Sequence, residues 1–149
     1  MNSFLRNERG GAARWIILII IVGACVYGYQ HFKKTPRYAL IQVKKAVVFS
    51  NADTAQEFMD IDKVASRLPE SMTNNQPVEV VKKQLLYELD SPHEKSPFIK
   101  SIKGWSVFKV PIAISADELY ATAETADNTS VSLEKTTKGQ WIITAIEIK

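Results

Sequence analysis

From Trp15 to Phe32 the chain reads WIILIIIVGACVYGYQHF, and only Gln30 and His31 in that run are strongly polar. An apolar run of this length approaches the roughly 20 residues an α-helix needs to cross about 30 Å of hydrocarbon. Its ends carry the residues that suit the two interfaces. Trp15 lies at one end and Tyr27 and Tyr29 toward the other, with Arg14 before the run and Lys33 and Lys34 after it. The expectation is a retained membrane span over residues 15–32, a short tail over 1–14, and one folded domain over 36–149.

Two processing routes fit the same letters. Val22-Gly23-Ala24-Cys25 has small residues ahead of a cysteine, as a lipoprotein signal does, and a signal peptidase cut after Ala24 is the plainer variant. In both, Arg6, Arg9 and Arg14 would form the basic n-region. Against both, apolar character continues through Val26, Tyr27 and Tyr29, where a small polar tether would be expected. In a retained span, Cys25 is a small apolar residue facing lipid. Orientation is less direct. Lys33, Lys34, Arg37, Lys44 and Lys45 outnumber the arginines before the span, which by a literal positive-inside count holds the domain in the cytoplasm. Lys44 and Lys45 belong to the expected domain, however, and large domains cross with little regard for charge. The expectation is therefore a cytoplasmic N-terminus and an external domain.

Charge follows the same division. Of the net +3, the residues before Thr35 carry +4, from Arg6, Arg9, Arg14, Lys33 and Lys34 against Glu8, which leaves −1 for the remainder. Basicity thus flanks the apolar run and is not spread over the domain, where a phosphate-binding stripe would have to lie, so nucleic acid is not an expected partner. The remaining length suffices for one self-supporting core without disulfides.

Past Thr35-Pro36, "RYALIQVKKAVVFS" over Arg37 to Ser50 aligns Leu40, Val43 and Val47 with Ala39 and Ala46 beside them, a helical stripe. Asp53 with Gln56 three residues on predicts a capped second helix. Asp60 predicts a cap for a third, with Ile61, Val64, Ala65 and Leu68 on one face. "ESMTNNQ" reads as a break. Pro77 opens another helix to about Leu89, with Val78, Val81, Leu85 and Leu89 aligned, and "FIKSIKG" reads as one further turn. The period then changes. "WSVFKVPIAIS", "ELYATAETA", "SVSLEKTT" and "QWIITAIEIK" read as strands of a meander, with Asp127-Asn128 and Lys138-Gly139 as turns. Leu119, Ala121 and Ala123 alternate with Tyr120, Thr122 and Glu124, and Val131 and Leu133 with Ser130, Ser132 and Glu134, so one face of an antiparallel sheet is expected to pack on helices.

The segment "TPRYALIQVKKAVVFSNADTAQEFMDID" resembles the opening of a membrane-anchored bacterial family, domain of unknown function 2939. Pro36, Tyr38, Ala39, Leu40, Gln42, Ala46, Asp53, Phe58 and Asp60 fill the family's places, and Met59 stands where Val is usual. Helices first and a curled antiparallel sheet last is also the order of the NTF2-like, or cystatin-like, cone. The resemblance implies an α+β architecture, an N-terminal transmembrane helix followed by helices packed on a curved antiparallel sheet. It implies no chemistry.

Residue chemistry is sparse. His31 beside the span, His93 in a Pro-flanked loop and Cys25 within the span do not assemble a zinc set, and His93 stands alone as a base for any Ser or Cys nucleophile. Gly10-Gly11 belongs to no phosphate loop. Cone-fold enzymes often use an Asp or Tyr at the pocket mouth, which singles out Tyr38, Asp60, Asp62 and Tyr120. Helix capping accounts for the two aspartates and an amphipathic core edge for the tyrosines. Lys44-Lys45 and Lys82-Lys83 read as solvated helix faces. A type IV pilin also begins with an apolar helix, yet Gly11 and Trp15 stand where its processing site has Phe and Glu. No catalytic, cofactor or metal residues are expected. The function expected is a non-catalytic, membrane-tethered binding domain of the bacterial cell envelope, held through residues 15–32 and taking an envelope protein or a small apolar ligand. A structural subunit of a secretion or conjugation complex, and an enzyme using an acidic group in the cone, are the alternatives.

Overall fold

The structure, a computed structural model, describes residues 8–91, 96–126 and 128–148. In chain order the elements are α1 (Glu8–Lys33), α2 (Pro36–Val48), α3 (Ala52–Phe58), α4 (Ile61–Arg67), α5 (Glu70–Thr73), α6 (Val78–Asp90), α7 (Pro97–Lys103), β1 (Ile112–Ile114), β2 (Tyr120–Ala126), β3 (Thr129–Lys135) and β4 (Trp141–Ile148). The chain divides into two compact units between Lys33 and Lys34.

The first unit is α1. Its stretch Gly11–Lys33 is long and apolar enough to cross a membrane, and none of it is buried within the protein. Ile16, Ile17, Leu18, Ile19, Ile20, Ile21 and Val22 are all exposed, so the helix is apolar on every side. A helix that is apolar all round is one that a membrane or a large core buries. Lys33 Nζ lies 4.6 Å from the centre of the Tyr29 ring, and the cation rests on the aromatic face at the end of the helix.

The second unit is an α+β fold in which α2 to α7 precede a four-stranded antiparallel sheet of order β1-β2-β3-β4. Thr35 caps α2, its hydroxyl accepting from the Tyr38 amide, and Pro36 takes the first turn, where its missing N–H costs nothing. The stripe Ala39, Leu40, Val43, Ala46 and Val47 is buried as its spacing predicts. α2, α3 and α4 all pack on β4. The core between helices and sheet is filled by side chains, among them Trp105, Leu40, Ile99, Ile102, Leu133 and Ile143, all essentially inaccessible.

Several expectations are corrected. The cap of α3 is Asn51, whose Oδ1 accepts from the Thr54 amide at 3.0 Å; Asp53 lies within the first turn. The chain leaves α2 through Ser50 at φ 55, and the Asn51 amide bonds the Ala46 carbonyl at 2.8 Å, which starts the next helix two residues before Asp53. Asp60 does cap α4, accepting from the Lys63 amide at 3.1 Å. "ESMT" forms the single turn α5, ended by Asn74 in the left-handed region, so the expected break contains a helix. Val78 is exposed, while Val81, Leu85 and Leu89 face the core. "FIKSIKG" extends to a seven-residue helix capped by Ser96.

The stretch Trp105–Pro111 is not a strand, although "WSVFKVPIAIS" predicts one; only Ile112–Ile114 pairs as such. Two of its carbonyls are taken by cations of α2. Lys44 Nζ donates to the Trp105 oxygen at 2.5 Å and Arg37 Nη2 to the Val110 oxygen at 3.1 Å. Pro111 lacks an N–H as well, and backbone bonds reach β2 near the two ends of the segment, from the Ser106 amide to the Thr125 carbonyl and from the Glu124 amide to the Pro111 carbonyl, so it buries Trp105, Val107 and Val110 as a strap. In β2, Ala121 and Ala123 are buried and Tyr120, Thr122 and Glu124 exposed, as the alternation predicts, but Leu119 precedes the strand and is exposed. In β4 the alternation breaks. A register shift between Ser132 and Leu133 pairs Ala145 with Ser132 but Ile143 with Leu133, so the inward positions change from Trp141 and Ile143 to Ile146. A bulge of this kind bends its strand and strengthens the local twist.

Candidate functional site

Of the residues singled out by sequence, Asp60 and Asp62 are brought together. With Gln56, Glu57, Lys82 and Leu86 they line an open cleft of about 410 Å³ between α3, α4 and α6. Capping commits Asp60 to the α4 backbone. Asp62 is not a cap, contrary to expectation. Its Oδ1 accepts from Lys82 Nζ at 2.5 Å, an ion pair reaching across from α6. Hydrogen bonding to Asp62 is the largest cause holding the Lys82 ammonium above its ordinary pKa, so Lys82 in this cleft is a cation and not a base. Chemically, the cleft offers a fixed positive charge beside the engaged carboxylates of Asp60 and Asp62, with that of Glu57 as a third.

One prediction follows from these roles. Asp60→Ala is expected to destabilise the domain by about 1 kcal/mol, the usual cost of removing an N-cap. Asp62→Asn is expected to cost less and to lower the Lys82 pKa toward its ordinary value. Because the Lys82 value is raised in the folded state, its contribution is complete below the unfolded pKa and is lost as pH rises through the folded one. Chemical denaturation of both variants, with NMR titration of Lys82 from neutral to alkaline pH, checks this.

The other singled-out residues lie apart. Tyr38 is half-buried, edge-on to Phe58 with ring centres 5.6 Å apart. Tyr120 is exposed at the start of β2. Cys25 and His31 lie on the exposed surface of α1, and His93 falls outside the described residues. Among the described residues, no group of three or more His, Cys, Asp or Glu converges as metal ligands do.

Lys44-Lys45 is corrected in part. Lys44 is half-buried and bound to the Trp105 carbonyl, and only Lys45 is a solvated face. Both belong to a feature that sequence reasoning missed, a groove of about 500 Å³ lined by Ile41, Val48, Phe49, Val107 and Phe108 with the two lysines. Phe49 and Phe108 are 70% and 73% exposed, far more than aromatic side chains of a packed domain need be. Among the described residues no acidic side chain lines it. The available signal was the pair of aromatics at "VVFS" and "SVFKV". Period-based reading places Phe108 in a strand, which hides that the strap turns its ring outward beside the end of α2.

Glu88 was also missed. It is buried on α6, its carboxylate accepting from Gln84 Nε2 at 2.9 Å and from Ser96 Oγ at 2.5 Å. These bonds join α6 to the cap of α7 and satisfy a charge that would be costly to bury alone.

No protein-family model, no curated protein and no solved structure matches the chain.

Proposed function

We propose that the chain is a non-catalytic binding domain of the bacterial cell envelope, tethered by a single membrane span over residues 15–32, and that the Phe49–Phe108 groove receives a protein partner. In this reading the N-terminus is cytoplasmic, the domain over 36–149 is external, and its sheet is the curved sheet of an NTF2-like cone. The helices-then-meander order supports the cone, as does the bulge between β3 and β4, which curls the sheet.

The observation that carries the reading is the groove itself. Two aromatic rings and Val48 stand in water beside two lysines, in a domain whose net charge is slightly negative and with no acid in the lining. Aromatic anchors with a polar rim are the composition of protein-interface cores, and the uncompensated cations select an apolar segment bearing acidic residues. A small apolar ligand is less favoured, because the space between helices and sheet is occupied by Trp105, Leu133 and Ile143.

The test is site-specific photo-crosslinking in cells from position 108, with position 122 on the exposed face of β2 as control. One envelope protein captured from 108 and not from 122, and lost when Phe49 is changed to Ser, is the expected result. Equal capture from both positions removes the groove as the docking surface. Capture of many subunits of one large assembly from both replaces the solitary binder by a structural subunit.

A further inference from the structure

We propose that the tip of the β1–β2 hairpin is a second, independent membrane contact, in which Ile114, Leu119 and Tyr120 enter the headgroup–acyl boundary of the bilayer that α1 spans. The proposal rests on the anchor reading above. Three features lead to it.

The first is the absence of slack between anchor and domain. Only Lys34 and Thr35 separate α1 from α2, a reach of about 10 Å even when extended. Lys34 is itself bound to the domain, its carbonyl accepting from Trp141 Nε1 at 3.0 Å. The end of the sheet that holds Trp141 is therefore the end at which the tether joins the domain.

The second is register. Trp141 begins β4 and pairs with Lys135 at the end of β3. The Lys135 amide donates to the Leu119 carbonyl at 2.8 Å, and the Ser115 amide to the Tyr120 carbonyl at 2.9 Å. The hairpin tip is thus at the same end of the sheet as the tether, three strand spacings away, about 14 Å.

The third is the tip's chemistry. Ile114, Leu119 and Tyr120 are about half exposed and lie outside the hydrophobic core. By strand alternation Ile114 and Leu119 project from one face and Tyr120 from the other. A flat protein partner covers one face of such a tip, whereas a bilayer surrounds both, and tyrosine is a residue that favours that depth. The turn is held as a unit. The Asp117 carboxylate accepts from the Ser115 hydroxyl and from the Leu119 amide, bonds that hold its pKa below the ordinary carboxylate value. With Asp117 and Glu118 in the turn, apolar insertion drives the contact and anionic lipid adds little.

The test uses the full chain carrying Cys25→Ser, with single nitroxide labels introduced through Ala116→Cys at the tip, Ser106→Cys away from it and Ile20→Cys in α1. Each is reconstituted in nanodiscs of phosphatidylcholine and of phosphatidylcholine with phosphatidylglycerol. Accessibility to oxygen and to a water-soluble nickel chelate gives the depth. The expected result is interfacial depth at 116 in both lipids, aqueous exposure at 106 and hydrocarbon depth at 20. Adding Ile114→Ser and Leu119→Ser returns position 116 to water; both side chains are half exposed, so the fold survives. An aqueous 116 with a buried 20 overturns the hairpin contact and leaves the anchor standing. An aqueous 20 overturns the anchor, and the hairpin contact with it. Short distances between 116 labels on two chains identify a second copy as the occupant and overturn the proposal.

Discussion

Trp105→Ala is expected to cost about 3–5 kcal/mol, the range for truncating a large buried aromatic to alanine. That is a large fraction of the 5–15 kcal/mol by which domains are ordinarily stable. Trp105 is 1% exposed and is the largest fully buried side chain. It begins the strap that covers the flank of α2, and its backbone oxygen holds the Lys44 ammonium. Its removal leaves a cavity at the point where helix, strap and sheet meet. Its indole Nε1 is buried and finds no acceptor among the described residues, so the cost of alanine comes from lost packing and not from a broken hydrogen bond. Trp105→Phe, which keeps a ring and removes the unpaired N–H, is expected to cost far less. Urea denaturation of the full chain in detergent micelles, followed by far-ultraviolet circular dichroism, separates the two. An alanine variant with an unchanged midpoint would mean that the strap carries none of the domain's stability.

The second large effect concerns α1, the proposed anchor. Lysine at the centre of a spanning helix costs about 2.5–3.5 kcal/mol, so Leu18→Lys with Val22→Lys is expected to oppose insertion by about 5–7 kcal/mol. Both positions lie in the exposed apolar stretch Gly11–Lys33, and a turn apart they charge one face of α1. The expected outcome is loss of the protein from the carbonate-resistant membrane fraction. Cys25→Ser, on the same reading, leaves it there. Release by Cys25→Ser would show that acylation, not a span, holds the chain, and retention of the double-lysine variant would show that α1 is not the anchor.

Local rules made several elements legible. α2 follows from the spacing of Leu40, Val43 and Val47 after a cap and a proline, and Asp60 from its place just before an amphipathic stripe. The interior strands follow from two-residue alternation, which β2 keeps from Tyr120 onward. Where two neighbouring residues offered the same local solution, the chain path chose between them: Asn51 over Asp53, because α2 ends in a left-handed turn at Ser50. The candidate sites were less legible. The Asp62–Lys82 pair joins residues on α4 and α6 that no local pattern connects. The groove depends on a strap that looks like a strand in sequence and that side chains of a distant helix, Lys44 and Arg37, bind through its carbonyls.

The sequence by itself determined the apolar run of residues 15–32, the placement of positive charge around it and the change of period from helical to extended after Gly104. Each is a property of composition or nearest-neighbour spacing, and needs no partner to be read. Only the tertiary structure decided which face of β4 is inward beyond the bulge, which carboxylate caps and which pairs, and that Phe49 and Phe108 share a groove. It also decided that the β1–β2 tip shares the end of the sheet holding the tether. Those outcomes depend on register and on contacts between distant segments, where one residue of slip in a ladder reverses a face and a side chain can be claimed by any backbone brought near it.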